Sequence, residues 1–277
     1  MTDGVCFEEL KEKARLLRRH IIEMTTTAGS GHPSSALSMV EIVTALYFGG
    51  ILRHDPKNPR WEDRDRFVLS KGHGCPALYA ALAEAGYFPV EDLQTLRKLG
   101  SPLEGHPNML RLPGIEASTG SLGQGLSIAC GMAAAAKIDG KDYHVFCMIG
   151  DGENNEGQVW EAAAAAAHFK FDNLTCIVDH NGAQQTGYVQ DVLNMMPLAE
   201  KWRAFHWNTL EIDGHNIEEV FYALRAAKAH RGSPTAIIAR TKKGKGVSFV
   251  EASYSYHGKA LTKEEAERAL AELGWGT

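Results

Sequence analysis

At 277 residues, with 44% hydrophobic and 23% charged content, the chain can bury a substantial core as an ordinary soluble α/β-sized protein. A net charge of −5 and a pI near 6.2 exclude the basic footprint expected of a nucleic-acid binder. No apolar run approaches the roughly 18 residues of a membrane span. The N-terminal stretch mixes acids and bases where a secretory signal would be apolar, and the five cysteines form no C-x-x-C pair. A cytoplasmic protein with no membrane contact and no disulfide framework is expected.

In chain order, Leu10, Ala14, Leu17, Ile21 and Met24 recur at helical spacing, which predicts an amphipathic helix stopping near Gly29-Ser30-Gly31. A second helix is expected over residues 35–48 and a third after Pro76. Residues 100–123 are rich in Gly, Pro and Ser and read as one long loop, a feature usually tied to function in compact domains. An Ala-rich helix is expected over 126–138. Short β-rich runs lie at 144–149, 174–178, 209–212 and 235–239, with an earlier one at 66–69 that joins them. Helical stretches at 159–169 and 217–229 separate the later runs, and a final helix-like segment covers 262–273. The alternation predicts an α/β fold, a mostly parallel sheet flanked by helices, with no linker dividing the chain. Cys147 and Cys176 fall in apolar runs and read as buried strand residues.

The most informative stretch runs from Met148 to Gly187. One apolar strand ends in Gly150-Asp151-Gly152 and the next in Asp179-His180-Asn181-Gly182. Ligands of open α/β sheets bind beyond the carboxyl ends of strands, so these turns are candidates for facing one another. Mg2+ prefers octahedral oxygen ligands and usually combines a carboxylate or two with phosphate oxygens and water. Asp151 offers a carboxylate, Asn181 an amide oxygen, and the turn after Asn181 a backbone carbonyl. The flanking glycines let the backbone approach phosphates, and the helix after Gly157 can turn its N-terminal amides toward an anion. Alone, Gly-Asp-Gly is as readily a tight turn; the asparagine at a second strand end gives it meaning.

The pair formed by Gly150-Asp151-Gly152 and Asn181 resembles the thiamine diphosphate motif, and the surrounding chain resembles the N-terminal part of transketolase. Gly31-His32-Pro33 resembles that family's first substrate-channel motif, and Ser70-Lys71-Gly72-His73-Gly74 the segment whose histidine contacts the cofactor diphosphate. Gly105-His106-Pro107 matches a further substrate histidine, and Thr119-Gly120-Ser121-Leu122-Gly123-Gln124-Gly125 the glycine loop over the cofactor. Ile212-Asp213-Gly214-His215, Thr241-Lys242-Lys243-Gly244-Lys245-Gly246 and Tyr256-His257-Gly258 continue the same order. Each motif is weak alone; their order along nearly the whole chain makes the resemblance specific.

The resemblance implies a thiamine-diphosphate-binding fold, with residues 1–277 forming a single pyrophosphate-binding domain. It implies that Asp151, Asn181 and the Ala183 carbonyl hold Mg2+, with Ca2+ or Mn2+ as alternatives. His73, His257, Gly150, Gly152, Asn181 and the backbone of Leu122 and Gly123 would surround the cofactor. His32 and His106 would face a sugar phosphate, and the four histidines would shuttle protons. The family's activating glutamate and phosphate-gripping arginines lie beyond the matched region. A partner chain carrying the pyrimidine-binding and C-terminal domains is therefore expected, in an α2β2 assembly, with two-carbon ketol transfer only when the chains combine. An exposed apolar patch should mark that contact. The α-subunit of a 2-oxo-acid dehydrogenase and a non-catalytic regulatory protein are the alternatives; the Gly-His-Pro motifs and His257-Gly258 argue against the first.

Read without the resemblance, a histidine before proline is a solvated turn residue. Twelve histidines without H-E-x-x-H or a Cys/His cluster make no zinc site. His20, His54, His144, His168, His206 and His230 read as packing or surface residues, and His215 as a turn residue after a strand. Glu156 is either a contact between cofactor-binding domains or a helix N-terminal acid. Lys242, Lys243 and Lys245 are either an anion site or a flexible charged loop. Three departures from the family pattern stand out. Ser34-Ser35 replaces a small Gly or Ala, which predicts an altered substrate channel; His180 precedes Asn181; and Gln184-Gln185 adds polarity beside Ala183.

Overall fold

The computed structural model describes residues 4–275. Its elements are α1 (Phe7–Ala28), α2 (Pro33–Leu37), α3 (Val40–Phe48), β1 (Arg66–Leu69), α4 (Cys75–Glu84) and α5 (Gln124–Ile138). There follow β2 (Val145–Gly150), α6 (Gly157–His168), β3 (Leu174–His180), α7 (Val189–Val192), α8 (Leu198–Ala204), β4 (Asn208–Asp213), α9 (Ile217–Ala229), β5 (Thr235–Arg240) and α10 (Lys263–Glu272). The strands form one sheet in the order β1-β2-β3-β5-β4, and every pairing among them is parallel.

Strand alternation divides the interior into two cores. Phe67, Leu69, Phe146, Met148, Ile177 and Ile237 face the layer of α1, α3, α4 and α9. Val68, Val145, Cys147, Ile149, Cys176 and Ile238 face α5, α6 and α8. Helices cover both faces, which is why the strands are apolar on both sides instead of alternating with polar residues. Cys147 and Cys176 are register partners in β2 and β3, and all five cysteines are free thiols. No helix among the described residues is long and apolar enough to cross a membrane.

The expected elements appear at nearly their expected places, with the long loop over 100–123 free of helix and strand. One expectation is corrected. The helix expected over 35–48 is two helices, α2 and α3, because the chain leaves helical geometry at Met39 (φ −106°, ψ 7°). The Ser38 hydroxyl at that break donates to the Asp179 carboxylate (2.6 Å), so a long-range bond anchors the interruption. α8 was not legible: its seven residues carry too short a pattern to establish a period.

Candidate active site

The carboxyl ends of four strands meet at one place. β1 delivers Ser70 and Lys71, β2 delivers Asp151, β3 ends in Asp179 and His180 before Asn181, and β5 leads to Thr241 and Lys243. Asp179 is fully buried at the centre. It accepts hydrogen bonds from the Lys71 ammonium, the Thr241 hydroxyl, the Ser38 hydroxyl (2.6 Å) and the Asn181 amide (2.9 Å). Burial works against its charge, but Lys71 and the hydroxyl donors hold its pKa down at about 2. Lys71 also donates to the Ser35 carbonyl (2.9 Å). This cluster forms the floor under a cavity of about 360 Å³.

Residues from distant motifs line that cavity. His32, His73, His106 and His257 are there with Leu122, and Gly150, Asp151, Gly152, Asn181, Ala183 and Glu156 complete much of the wall. The rings of His32, His73 and His257 form a nearly equilateral triangle, with centroids 5.2, 5.3 and 5.3 Å apart. Burial is the main cause that lowers all three pKa values, with neighbouring lysines adding to it and, for His32, Arg97: His32 falls to about 4 and His257 to about 3. His106 is lowered by burial and Arg97. At neutral pH these rings are uncharged, each with one N–H donor and one acceptor nitrogen. His106 packs on Gly120, whose φ of 142° and bare Cα are both needed; a Cβ there would sit 2.7 Å from the imidazole.

Asp151 is buried, and its oxygens accept the N–H groups of Gly152 (2.8 Å) and Gly182 (2.6 Å). Burial, reinforced by the Asp179 charge, pushes its pKa up to about 6. The Asn181 amide oxygen accepts from the Ala183 N–H (3.2 Å), and the Ala183 carbonyl accepts from Lys243 Nζ (3.3 Å). Each of these three oxygens keeps a free lone pair. An all-oxygen set with one carboxylate suits a hard divalent cation. Among the described residues, no three His, Cys, Asp or Glu side chains are grouped to hold a metal by themselves, so phosphate oxygens or water would have to complete the shell. A diphosphate also fits the wall chemically: His32 Nδ1 and Gln184 Nε2, both able to carry an N–H, are buried there without a partner. Unpartnered buried polar atoms also occur elsewhere among the described residues, at Thr26, Thr44 and Arg53; those that border this cavity are the ones a ligand in it could satisfy.

Several expectations change in detail. Gly123 is buried behind the wall instead of on it; its N–H donates to Glu153 Oε1 (2.8 Å). The segment that faces the cavity after β2 is a short 3-10 turn, Gly152–Asn155, and not the start of α6, whose first residues are exposed. Ser34 and Ser35 do not shape the channel: both are buried, and Ser34 Oγ donates to the Tyr256 carbonyl (3.0 Å). The basic loop is divided. Lys243 is wholly buried in the site and touches His257 Nδ1 (2.7 Å), with burial lowering its pKa to about 8. Lys242 and Lys245 lie outside near Glu251, so the loop as a whole is neither an anion site nor loose. Glu156 is exposed at the start of α6 and its side chain makes no capping bond. His20, His54, His144 and His230 hydrogen-bond within the structure, and His168 and His206 are exposed. His215 bridges Glu41 Oε2 (3.0 Å) and the Lys242 N–H (2.8 Å).

The sequence pattern described as "Transketolase, thiamine diphosphate binding domain" matches residues 9–277. The chain belongs to the transketolase family. It is 46% identical over 265 residues to the 6-deoxy-6-sulfo-D-fructose transketolase subunit of Clostridium sp. (strain MSTE9), covering 96% of each chain. It is 42% identical to one subunit of the apulose-4-phosphate transketolase of Actinobacillus succinogenes, covering 98% of each. Against human transketolase it is 45% identical over 96% of its own length, yet spans only 42% of that relative. The crystal structure of Campylobacter jejuni transketolase superposes with a TM-score of 0.92 at 36% identity, covering 98% of this chain and 44% of that one.

Within this transketolase domain, motif reading missed the residues that support the site. Asp179 and Lys71 lie inside quoted motifs but were passed over; a carboxylate ending an apolar strand was the available signal, because a buried charge needs a partner. Glu153 was also missed. Its buried carboxylate accepts from Ser70 Oγ (2.5 Å), Gly123 N–H (2.8 Å) and Gly150 N–H (3.0 Å), tying the glycine loop to the end of β2. Nothing in the spacing of the chain points to that role.

Proposed function

We propose that this chain is the cofactor-binding subunit of a two-chain transketolase, a single pyrophosphate-binding domain that transfers a two-carbon ketol unit only with a pyrimidine-binding partner. The observation that carries the reading is the convergence of His32, His73, His106, Asp151, Asn181 and His257 on one cavity, which is also bordered by residues with unpartnered buried polar atoms. Its nearly full coverage of two relatives that are themselves named as subunits supports the two-chain arrangement.

Asp151, Asn181 and the Ala183 carbonyl would hold Mg2+, or Ca2+ or Mn2+ with the same oxygens. Gly150, Gly152, Leu122, His73 and His257 would surround the diphosphate. Thiamine diphosphate, when bound, supplies a carbon that carries the two-carbon unit between sugars. The protein's part is to place the reactants and handle protons. Because His32 and His106 are neutral, each can donate to one sugar hydroxyl and accept from another. Being neutral, His32 would exchange a proton with a substrate through one ring nitrogen, and its Nδ1 has no partner within the chain to hold it in one tautomer. Lys243 orients the Ala183 carbonyl and His257 together. The names of the two subunit relatives point to ketoses bearing a phosphate or sulfonate as the substrate class.

Exposed Tyr188, Val192, Leu193, Met196 and Tyr254, mostly on the segment that follows Ala183, supply an apolar surface for the partner, and Glu156 an acidic contact. An α2β2 cytoplasmic assembly is the matching form, in keeping with five free thiols. The test is to titrate thiamine diphosphate and Mg2+ into this chain alone and mixed with a pyrimidine-domain chain, following bound cofactor and ketol transfer. Turnover confined to the mixture, and lost with Asp151→Ala, is the expected result. Turnover by the single chain, or no cofactor binding in either sample, would overturn it.

A further inference from the structure

Gln184, Gln185 and Asn155 are polar residues of the wall to which no motif assigns a role, and Gln184 is the one with a buried, unpartnered N–H donor. Its backbone is pinned: its N–H donates to the Gly187 carbonyl (2.8 Å), Val189 N–H donates to the Gly182 carbonyl (3.0 Å), and Ala183 bridges to Tyr188. From that pinned position the side chain folds over Gly152. A Cβ added to Gly152 would lie 2.8 Å from Gln184 Cγ and 3.0 Å from Cδ, so the bare glycine is what admits the carboxamide there. Gln184 Nε2 is buried and donates to nothing, although the side chain borders the cavity. Its neighbour Gln185 also borders the cavity but is exposed, so its amide is served by solvent and the two glutamines are not equivalent.

A buried amide N–H without an acceptor is costly unless a ligand satisfies it. What it lacks is an oxygen acceptor, and the wall it occupies is that of Asp151 and Gly152, where a metal-bound anion would lie; His106 sits instead against Gly120. We propose that the Gln184 carboxamide is an additional hydrogen-bond donor to the cofactor diphosphate, a binding residue that this chain adds beside its metal site. The proposal rests on the reading of the cavity as a thiamine diphosphate site. The donor is neutral and the acceptor anionic, so the bond strengthens phosphate binding without adding a cation next to the metal.

The experiment uses the full chain and magnesium pyrophosphate, which isolates the diphosphate subsite from any contribution of a partner. Isothermal titration would compare wild type with Gln184→Met, Gln184→Glu, Gln185→Met and Asp151→Ala, and thermal melts would be recorded without ligand. Loss of one hydrogen bond to a charged group weakens affinity about tenfold to a hundredfold, which is the expected result for Gln184→Met. Gln184→Glu should weaken binding further by placing a carboxylate against the anion, while Gln185→Met should bind like wild type. The ligand-free melting temperature of Gln184→Met should not fall, since the amide has no internal partner to lose; a fall matching the affinity loss would assign Gln184 a structural role and overturn the proposal. Unchanged affinity in Gln184→Met, with Asp151→Ala abolishing binding, would overturn it while leaving the cofactor reading intact. Failure of the wild type to bind both magnesium pyrophosphate and thiamine diphosphate would overturn the cofactor reading and this proposal with it.

Discussion

The two ends of the parallel sheet are built from the same ingredients and do different things. At the amino end, Asp65 is buried and accepts from the Arg53 N–H (2.7 Å), the His144 N–H (2.8 Å) and Lys228 Nζ (2.5 Å). At the carboxyl end, Asp179 is buried and just as fully engaged by Lys71, Ser38, Thr241 and Asn181. The difference lies in what each carboxylate supports. Asp65 closes the turn into β1 and its lysine reaches back to the Ile51 carbonyl (2.6 Å), tying that turn to the chain before it. Asp179 instead fixes Asn181, Lys71 and the β5 exit, which together hold an unpaired wall of His32 Nδ1, Asn155 Oδ1 and Gln184 Nε2. A saturated carboxylate makes a rigid base at both ends, and what stands on it differs: the amino end carries Arg53, Lys137, Lys141 and Lys228 around its own cavity, whereas the carboxyl end carries four histidines beside the oxygens of Asp151, Asn181 and Ala183.

The largest expected effect tests whether these two carboxylates are interchangeable in kind. Asp179→Ala strands Lys71 in the interior and should cost about 3–5 kcal/mol in urea unfolding, because an uncompensated buried charge remains. It should also abolish magnesium pyrophosphate binding. Asp65→Ala should destabilise as well but leave that binding intact. Equal loss of binding in both variants would break the comparison.

Acid should reveal the next effect, since neutral histidines occur at both ends. Burial lowers the pKa of His144 from its ordinary 6.5 to about 3. The unfolded chain takes up a proton below pH 6.5 and the folded chain does not, so stability falls as pH drops through the window from 6.5 to about 3. At pH 5 this one group should remove about 2 kcal/mol relative to pH 7.5, and a His144→Asn variant should show that much less acid dependence. His32, His73 and His257 shift in the same direction, so wild-type unfolding at pH 5 should show more than the single-histidine loss.

Asp151 should behave in the opposite way to Asp179. Its folded pKa of about 6 lies above the ordinary 3.8, so its charge at pH 7 is a strain the fold tolerates. Asp151→Asn should lose magnesium-dependent ligand binding while changing stability by no more than about 1 kcal/mol, because relief of the buried charge is offset by an amide NH2 facing the Gly152 or Gly182 N–H. A loss of stability equal to that of Asp179→Ala would show that Asp151 belongs to the scaffold. The smallest effect is expected at Glu156, which is exposed and caps nothing. Glu156→Ala should leave stability within about 0.5 kcal/mol, and sedimentation with a partner chain would show whether assembly weakens.

Much of this was legible from residue order. Short β-rich runs located all five strands of the sheet, because strands covered on both faces are apolar on both sides and the turns between them are marked by Gly, Asp and Asn. The ordered motifs named the residues that line the cavity, since each sits at a strand end or in a glycine turn whose backbone needs restrict what can stand there. The failures have equally physical causes. The break between α2 and α3 depends on Ser38 reaching Asp179, a contact across 141 positions that no local pattern records. Ser34 and Ser35 resemble channel residues by position, yet packing turned them inward.

The sequence alone determined the family, the parallel α/β scaffold and the residue types available for a metal diphosphate, because these rest on local periodicity and on motifs that carry their own chemistry. Tertiary structure decided the protonation of the histidine triangle, the opposite fates of Asp151 and Asp179, the burial of Lys243 out of a run of three lysines, and the unpartnered amide of Gln184. Those properties come from burial and from which donors converge on a group, and convergence is settled only when strands distant in the chain are brought side by side.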